Sequence, residues 1–395
     1  MSVVGTERAM SPAGLGRTLR TLRDPILLFV VPVVFALLLA FVGYGNSWPI
    51  GFDFRGTLWE PARALLDGLP IYPEPTREAV LVGNPAVYPP VFILGSVPLA
   101  LLPVTVAAWL WLCVLGVAMF GSMWILGVRD WRCLVLGVTS PVVVHGLWYG
   151  NLTVLLVLPI ALAWRYRDTA RVAGIAVGVA VAAKLFVWPL VVWLLLTRRF
   201  RAAAWAAGSA ALLVLGAWAL VGFQGMRDYP SLLRAVQDVY AVRSLSVSTV
   251  AGALGASVSA AVAVAAVAGL ACLALAVWLV RQPDGDRRAF AIVVAACILA
   301  SPIVWPNYAA LLFVPIAVTW PRLAPAWFFG YAVWLISAFA AGGTPDVGSP
   351  PPGVPAQAWL SSHAESSLWF ASGMTIVVAL VGIATAQSRT RVHGS

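Results

Sequence analysis

Apolar runs of roughly 20 residues, the length of one bilayer crossing, recur along this chain and are separated by short arginine clusters. Residues 254–280 carry no charge at all, and Val172–Leu196 carries one. With 61% hydrophobic and 10% charged residues and a mean hydropathy of +0.92, the chain has too little polar surface for a soluble domain. The runs are unbroken and do not alternate, which favours helices over a transmembrane β-barrel. The sequence therefore reads as an all-α polytopic membrane protein forming a single domain over residues 1–395. Its 19 tryptophans suit the aromatic belts at the two membrane–water boundaries.

Charge sorts the loops into two sets. Residues 1–25, Arg129–Arg132, Arg165–Arg171, Arg198–Arg201, Arg281–Arg288, Arg322 and the tail with Arg389 and Arg391 are basic. The positive-inside rule places them, with both termini, in the cytoplasm. The intervals 46–89, 223–249 and the Pro-rich 341–364 hold Asp53, Glu60, Asp228, Asp238 and Asp346, and are placed on the outer face of the plasma membrane. The net charge of +10 thus reflects topology and does not point to nucleic acid. The N-terminal arginines precede an apolar stretch with no convincing cleavage site, so an uncleaved first helix is expected. Cys113, Cys133, Cys272 and Cys297 lack metal-ligand spacing and read as packing thiols.

The predicted spans are residues 26–45, 104–127, 132–148, 151–164, 172–183, 185–197, 203–222, 254–280, 289–305, 308–320, 324–340 and 366–386, about twelve transmembrane helices. Residues 90–102 are read as re-entrant or lying against the outer face. The pairs 132–148/151–164, 172–183/185–197 and 289–305/308–320 are short and meet at polar breaks: Tyr149-Gly150-Asn151, Lys184, and Pro306-Asn307-Tyr308. Non-helical backbone at membrane depth persists only where it is buried in protein or lines an aqueous cavity. Three such breaks predict one cavity open to the outer face.

In the first outer interval, Phe54, Leu58, Trp59, Ala62, Leu65 and Leu66 recur at helical spacing after Asp53. Arg55, Glu60, Arg63 and Asp67 take the other face, and Gly68 closes the segment. This predicts an amphipathic juxtamembrane helix lying on the membrane. Asp53 at its start is either a helix N-cap or a general base held near a substrate hydroxyl. Lys184, the only lysine, is costly near bilayer depth and calls for an anionic partner such as a lipid-linked phosphate, unless it snorkels from a helix end. Arg227, Arg234 and Arg243 run against the sign of their outer loop and are candidate phosphate ligands or solvated surface groups. Asn307 and Tyr308 are placed to hydrogen-bond a sugar. His145 is a packing residue or a substrate contact, and Tyr88 before Pro89-Pro90 a substrate contact or a loop-shaping residue. No P-loop, nucleophile elbow or HExxH motif occurs.

These stretches together resemble glycosyltransferase family 87, integral-membrane GT-C enzymes of actinobacteria. The resemblance rests on Asp53-Phe54 through Leu65-Leu66-Asp67-Gly68-Leu69-Pro70-Ile71-Tyr72, on Tyr88-Pro89-Pro90 and on Gly150-Asn151-Leu152-Thr153. Ala173-Gly174 through Ala183-Lys184-Leu185-Phe186, and Ser301-Pro302 through Trp305-Pro306-Asn307-Tyr308, complete it. It implies a GT-C fold and a polyprenyl-phosphate-dependent mannosyltransferase of the phosphatidylinositol-mannoside type. Asp53 would be the catalytic base, Lys184, Arg243 and Arg227 would bind the donor phosphate, and Tyr88, His145, Asn151, Asn307 and Tyr308 would contact substrate. The implied partners are a polyprenyl-phosphate sugar, a glycolipid or lipoglycan acceptor and membrane lipids, with no metal or cofactor. The family usually has Gln where Asn151 stands and His where Asn307 stands. An arabinofuranose donor is an alternative. So is a lipid-linked sugar transporter or flippase, since broken helices are also a transporter design.

Overall fold

The computed structural model describes residues 49–81, 84–240, 244–334 and 364–388. The predicted span 26–45, Arg243, residues 335–340 of the span 324–340 and nearly all of the Pro-rich loop 341–364 lie outside these residues. Among the described residues the chain is helical, with no strand.

The first helical run, α1, comprises Phe52–Phe54, a π turn over Arg55–Trp59, and Glu60–Leu66. Phe54, Leu58 and Ala62 are fully buried while Glu60 and Arg63 are exposed, the amphipathic pattern of the sequence. There follow α2 (Arg77–Leu81), α3 (Pro90–Ala100), α4 (Val104–Ile125), α5 (Trp131–Val138), α6 (Pro141–Tyr149), α7 (Leu152–Arg165) and α8 (Ala170–Ala183). A 3-10 turn, Leu185–Val187, leads into α9 (Pro189–Leu196), then α10 (Phe200–Leu220), α11 (Tyr229–Tyr240), α12 (Val247–Ala253) and α13 (Val258–Leu279). After α14 (Gly285–Leu299), a second 3-10 turn, Pro306–Leu312, precedes α15 (Phe313–Thr319), and α16 (Ala364–Gln387) ends the described chain.

Among the described residues three helices, α4, α10 and α13, are individually long and apolar enough to cross a membrane, and the pair α6 and α7, bent by 119°, makes up to four. The apolar helices α3 and α8 are shorter. Proline accounts for one departure from the predicted spans. Residues 132–148 form two helices because Pro141, at the first position of α6, offers no N–H to α5 and holds Ser140 extended. Residues 308–320 divide where the 3-10 turn that starts at Pro306 gives way to α15.

The centre of the bundle is α14, every residue of which from Ala289 to Leu299 is buried. A helix that is apolar all round belongs where other helices surround it, and α9, α13 and α16 pack on it. Gly174 and Gly178, one turn apart on α8, face α10 so closely that a Cβ on either would enter backbone atoms of Ala202 or Ala206. Small residues at this spacing let two helices in lipid gain dispersion contacts along their backbones.

The two ends of the bundle differ in charge. At one end α11 packs on α2 through Val80, Leu232, Val236 and Val239, bringing together the two intervals predicted to share the outer face. At the other end Arg199 pairs with Asp286 and Asp168, and Arg167 with Asp286. The 14 residues of α8, about 21 Å of helix, separate the arginine cluster near Arg171 from Lys184.

Candidate active site

The site is built on helix breaks. Gly150 closes α6 in the left-handed conformation (φ 69°), where a side chain would strain the backbone, and a Cβ there would meet Phe54 Cβ at 2.9 Å. Asn151 then caps α7: its Oδ1 accepts from Thr153 N at 2.9 Å. Lys184 ends α8 in an extended conformation before the 3-10 turn. Tyr308 lies in the turn that follows Pro306. The strand-like segment leading to Tyr308 is pinned from the side by Ser244 and Leu245, which exchange hydrogen bonds with Val304 at 2.8 and 2.7 Å.

Helix α1 is docked on the same break. Gly51 N donates to Trp148 O at 2.8 Å, Trp111 Nε1 donates to Gly150 O at 2.8 Å, and the Phe54 and Trp111 rings stack at 5.4 Å. Tyr72 OH donates to Tyr88 O at 2.7 Å and Tyr229 OH to Val87 O at 2.8 Å, fixing the backbone at Tyr88.

Asp53, Asn151 and Lys184 meet here. The Asp53 carboxylate accepts from Asn84 Nδ2 at 2.9 Å on one oxygen and from Asn151 Nδ2 at 2.5 Å on the other. Each oxygen keeps a lone pair for a further proton. Asn151 is shared: while its amide nitrogen serves Asp53, its Oδ1 also accepts from Lys184 Nζ at 3.3 Å. Lys184 is 7% exposed and gives its other protons to Thr153 Oγ1 at 2.7 Å and Tyr308 OH at 3.3 Å. Its ammonium lies 5.1 Å and 4.5 Å from the centroids of the Tyr88 and Tyr308 rings. The two 3.3 Å bonds are long enough to yield to an incoming anion. The snorkelling reading of Lys184 does not hold, because the side chain turns into the protein.

The N-cap reading of Asp53 does not hold either. Gly51 takes the cap position, and the Asp53 side chain is held by two asparagine amides. Burial raises the Asp53 carboxyl above the ordinary range, opposed by the Asn151 hydrogen bond, the Lys184 charge and the Asn84 hydrogen bond. A base must be ionised to act, so transfer should fall as pH drops through this raised value. The acid limb of kcat/KM is therefore expected above the roughly pH 4 of a free carboxylate. A limb at or below that range would show that Asp53 does not set it.

Asn307, only 1% exposed, packs against Gly146, leaving no room there for a side chain. Its Nδ2, with His145 Nδ1 and Trp148 Nε1, has no hydrogen-bond partner among the described residues. His145 stacks on Tyr149 at 4.5 Å. Buried polar atoms of this kind are costly unless a ligand or water completes them. Arg227 is exposed in the turn before α11, apart from the contacts of Asp53 and Lys184, and Arg243 lies outside the described residues. The chain's one Asp-x-Asp sequence, Asp284-Gly285-Asp286, is at the opposite end, where Asp286 is occupied by Arg167, Arg199 and Trp193.

Asn84, Thr153 and Trp148 were not picked out by sequence reasoning. Thr153 stands in a motif that was, but Asn84 in Gly83-Asn84-Pro85 reads as an ordinary turn residue. The signal for Asn84 is Gly56, where a Cβ would sit 2.5 Å from Asn84 O. Gly56→Ala is expected to displace Asn84 and to lower transfer about tenfold, with a modest loss of thermal stability. Asn84→Ala removes the same donor without the clash and should lower the rate alone. Rate and melting measurements on both variants check this.

A carboxylate and an ammonium are thus joined by one asparagine within a helical bundle that carries helices of membrane-crossing length. The sequence model of glycosyltransferase family 87 matches residues 86–302, more than half of the chain, and the chain belongs to that family. It is a membrane glycosyltransferase. No curated protein and no solved structure matches it. The matched residues include Tyr88, His145, Asn151 and Lys184, whereas Asp53 precedes them and Asn307 and Tyr308 follow.

Proposed function

We propose that the chain transfers a hexose, mannose foremost, from a polyprenyl-phosphate sugar to a glycolipid or lipoglycan acceptor of the phosphatidylinositol-mannoside type. The reaction takes place at the outer face of the plasma membrane, in a GT-C bundle of about twelve spans with both termini in the cytoplasm. The observation that carries the reading is the Asp53–Asn151–Lys184 chain, which sets a proton acceptor and a phosphate partner one amide apart.

In this reaction the acceptor hydroxyl gives its proton to Asp53 while its oxygen attacks the anomeric carbon. The bond from that carbon to the phosphate oxygen breaks, and its electron pair leaves with polyprenyl phosphate. Lys184 exchanges its two long hydrogen bonds for the phosphate and stabilises the charge that develops there. Phosphate leaves without an acid, so one carboxylate suffices, unlike the pair needed in glycoside hydrolysis. A single displacement inverts the anomeric configuration. Asn307, His145 and Trp148 complete their hydrogen bonding on the sugar hydroxyls.

Offering the purified protein polyprenyl-phosphate-mannose, polyprenyl-phosphate-arabinose and GDP-mannose in separate reactions tests this. The expected product carries mannose from the lipid donor, with NMR showing the anomer opposite to the donor's. Retention of configuration, or transfer from the nucleotide sugar alone, would overturn the mechanism. Transfer of arabinose would favour the second reading, an arabinofuranosyltransferase, which the asparagines at 151 and 307 support by departing from the family's usual Gln and His.

A further inference from the structure

At the basic end of the bundle, the C-terminal ends of α9 and α13 border an open cleft of about 510 Å³. Its walls are Leu196, Val277 and Val280 on the apolar side, and Thr197, Arg198, Arg199, Arg281 and the carboxylate of Asp286 on the polar side. The three arginines are not equivalent. Arg199 donates to both oxygens of Asp286, at 2.9 and 2.8 Å, and to Asp168 at 3.0 Å. Arg167 also donates to Asp286, at 3.1 Å. Two arginines and two aspartates thus neutralise one another in a closed network. Arg198 and Arg281 are exposed and have no side-chain hydrogen bond or ion pair among the described residues, so two positive charges face the cleft uncompensated. From the cleft the outer surfaces of the same two helices continue as apolar wall, with Leu195 44% and Trp278 57% exposed. In a membrane protein that wall faces acyl chains.

We propose that this cleft binds the phosphodiester headgroup of an anionic phospholipid in the adjoining leaflet, with Arg198 and Arg281 on the phosphate and the acyl chains along α9 and α13. A basic pocket between helices on the positively charged side of a membrane protein has the chemistry for such a headgroup. The continuous apolar flank distinguishes a lipid from a free anion, which would gain nothing from it.

Thermal unfolding of the full-length protein in detergent tests the assignment, with short-chain phosphatidylglycerol, short-chain phosphatidylcholine and inorganic phosphate titrated in separate arms. Phosphatidylglycerol is expected to raise the midpoint saturably, and the other two are not. Apparent affinity for phosphatidylglycerol should fall about fivefold for each arginine replaced in Arg198→Gln and Arg281→Gln, and stay close to wild type in the Arg281→Lys variant. Arg281→Gln alone carries the test if the left-handed backbone at Arg198 (φ 59°) does not tolerate replacement. Sugar transfer should persist in these variants, which confirms folding. Equal stabilisation by phosphatidylcholine, equal stabilisation by phosphate, or unchanged phosphatidylglycerol affinity in Arg281→Gln would each overturn the proposal.

Discussion

Asp53→Asn is expected to lower sugar transfer about 10³-fold while leaving the lipid donor bound, the loss typical of removing a general base. The substitution keeps the shape of the side chain, so α1 should stay docked through Gly51, Phe54 and Trp111. What disappears is the negative charge beside Lys184, together with one acceptor, so that Asn84 must turn its amide to accept from the new N–H. With that charge gone, the ammonium is free to commit to the donor phosphate, so donor affinity should be equal to or tighter than wild type. A purely structural Asp53 would behave differently, with expression and donor binding falling together and kcat surviving in whatever folds. Single-turnover transfer and donor titration on the same preparation separate the two cases.

Lys184→Met has the second-largest expected effect. Methionine fills much of the aliphatic volume but removes the donor bonded to Thr153, Asn151 and Tyr308. Loss of one group that stabilises charge on the departing phosphate typically costs about 10²–10³ in kcat. Because the same ammonium also meets the ground-state phosphate, donor affinity should weaken too, and inhibition by free polyprenyl phosphate should be relieved. Near-wild-type transfer by Lys184→Met would place the phosphate elsewhere. Lys184→Arg should recover little, since a planar guanidinium fork does not reproduce the ammonium's three divergent hydrogen bonds to Thr153, Asn151 and Tyr308.

The membrane explains which parts of this site were legible in the sequence. A lone lysine within an apolar run stands out because lipid makes an unpartnered charge costly, and Gly150-Asn151 stands out because it must end one helix and cap the next. Both positions fell where expected and face the same site. Asn84 lies in a polar loop, where asparagine is commonplace, and only the contact with Gly56 exposes its role. Asp53 was legible as a candidate but not in its geometry. A helix start offers a carboxylate as a cap, and what excludes that here is the left-handed Gly51 one step earlier. The polar breaks, Pro306 among them, marked where most apolar segments end, but not the break at Pro141 inside the span 132–148, which depends on a missing N–H. Charge alone could not rank the arginines either: Arg227 carried the right sign in the right loop, yet its side chain stays exposed.

The most direct measurement of the central claim reconstitutes the protein in liposomes with radiolabelled polyprenyl-phosphate-mannose and a glycolipid acceptor. Labelled product and released polyprenyl phosphate are then counted for wild type, Asp53→Asn and Lys184→Met. A base and a phosphate partner joined through Asn151 predict one polyprenyl phosphate released per sugar transferred in wild type, and both signals lost together in each variant. Full transfer by Asp53→Asn in a folded, donor-binding preparation would contradict it.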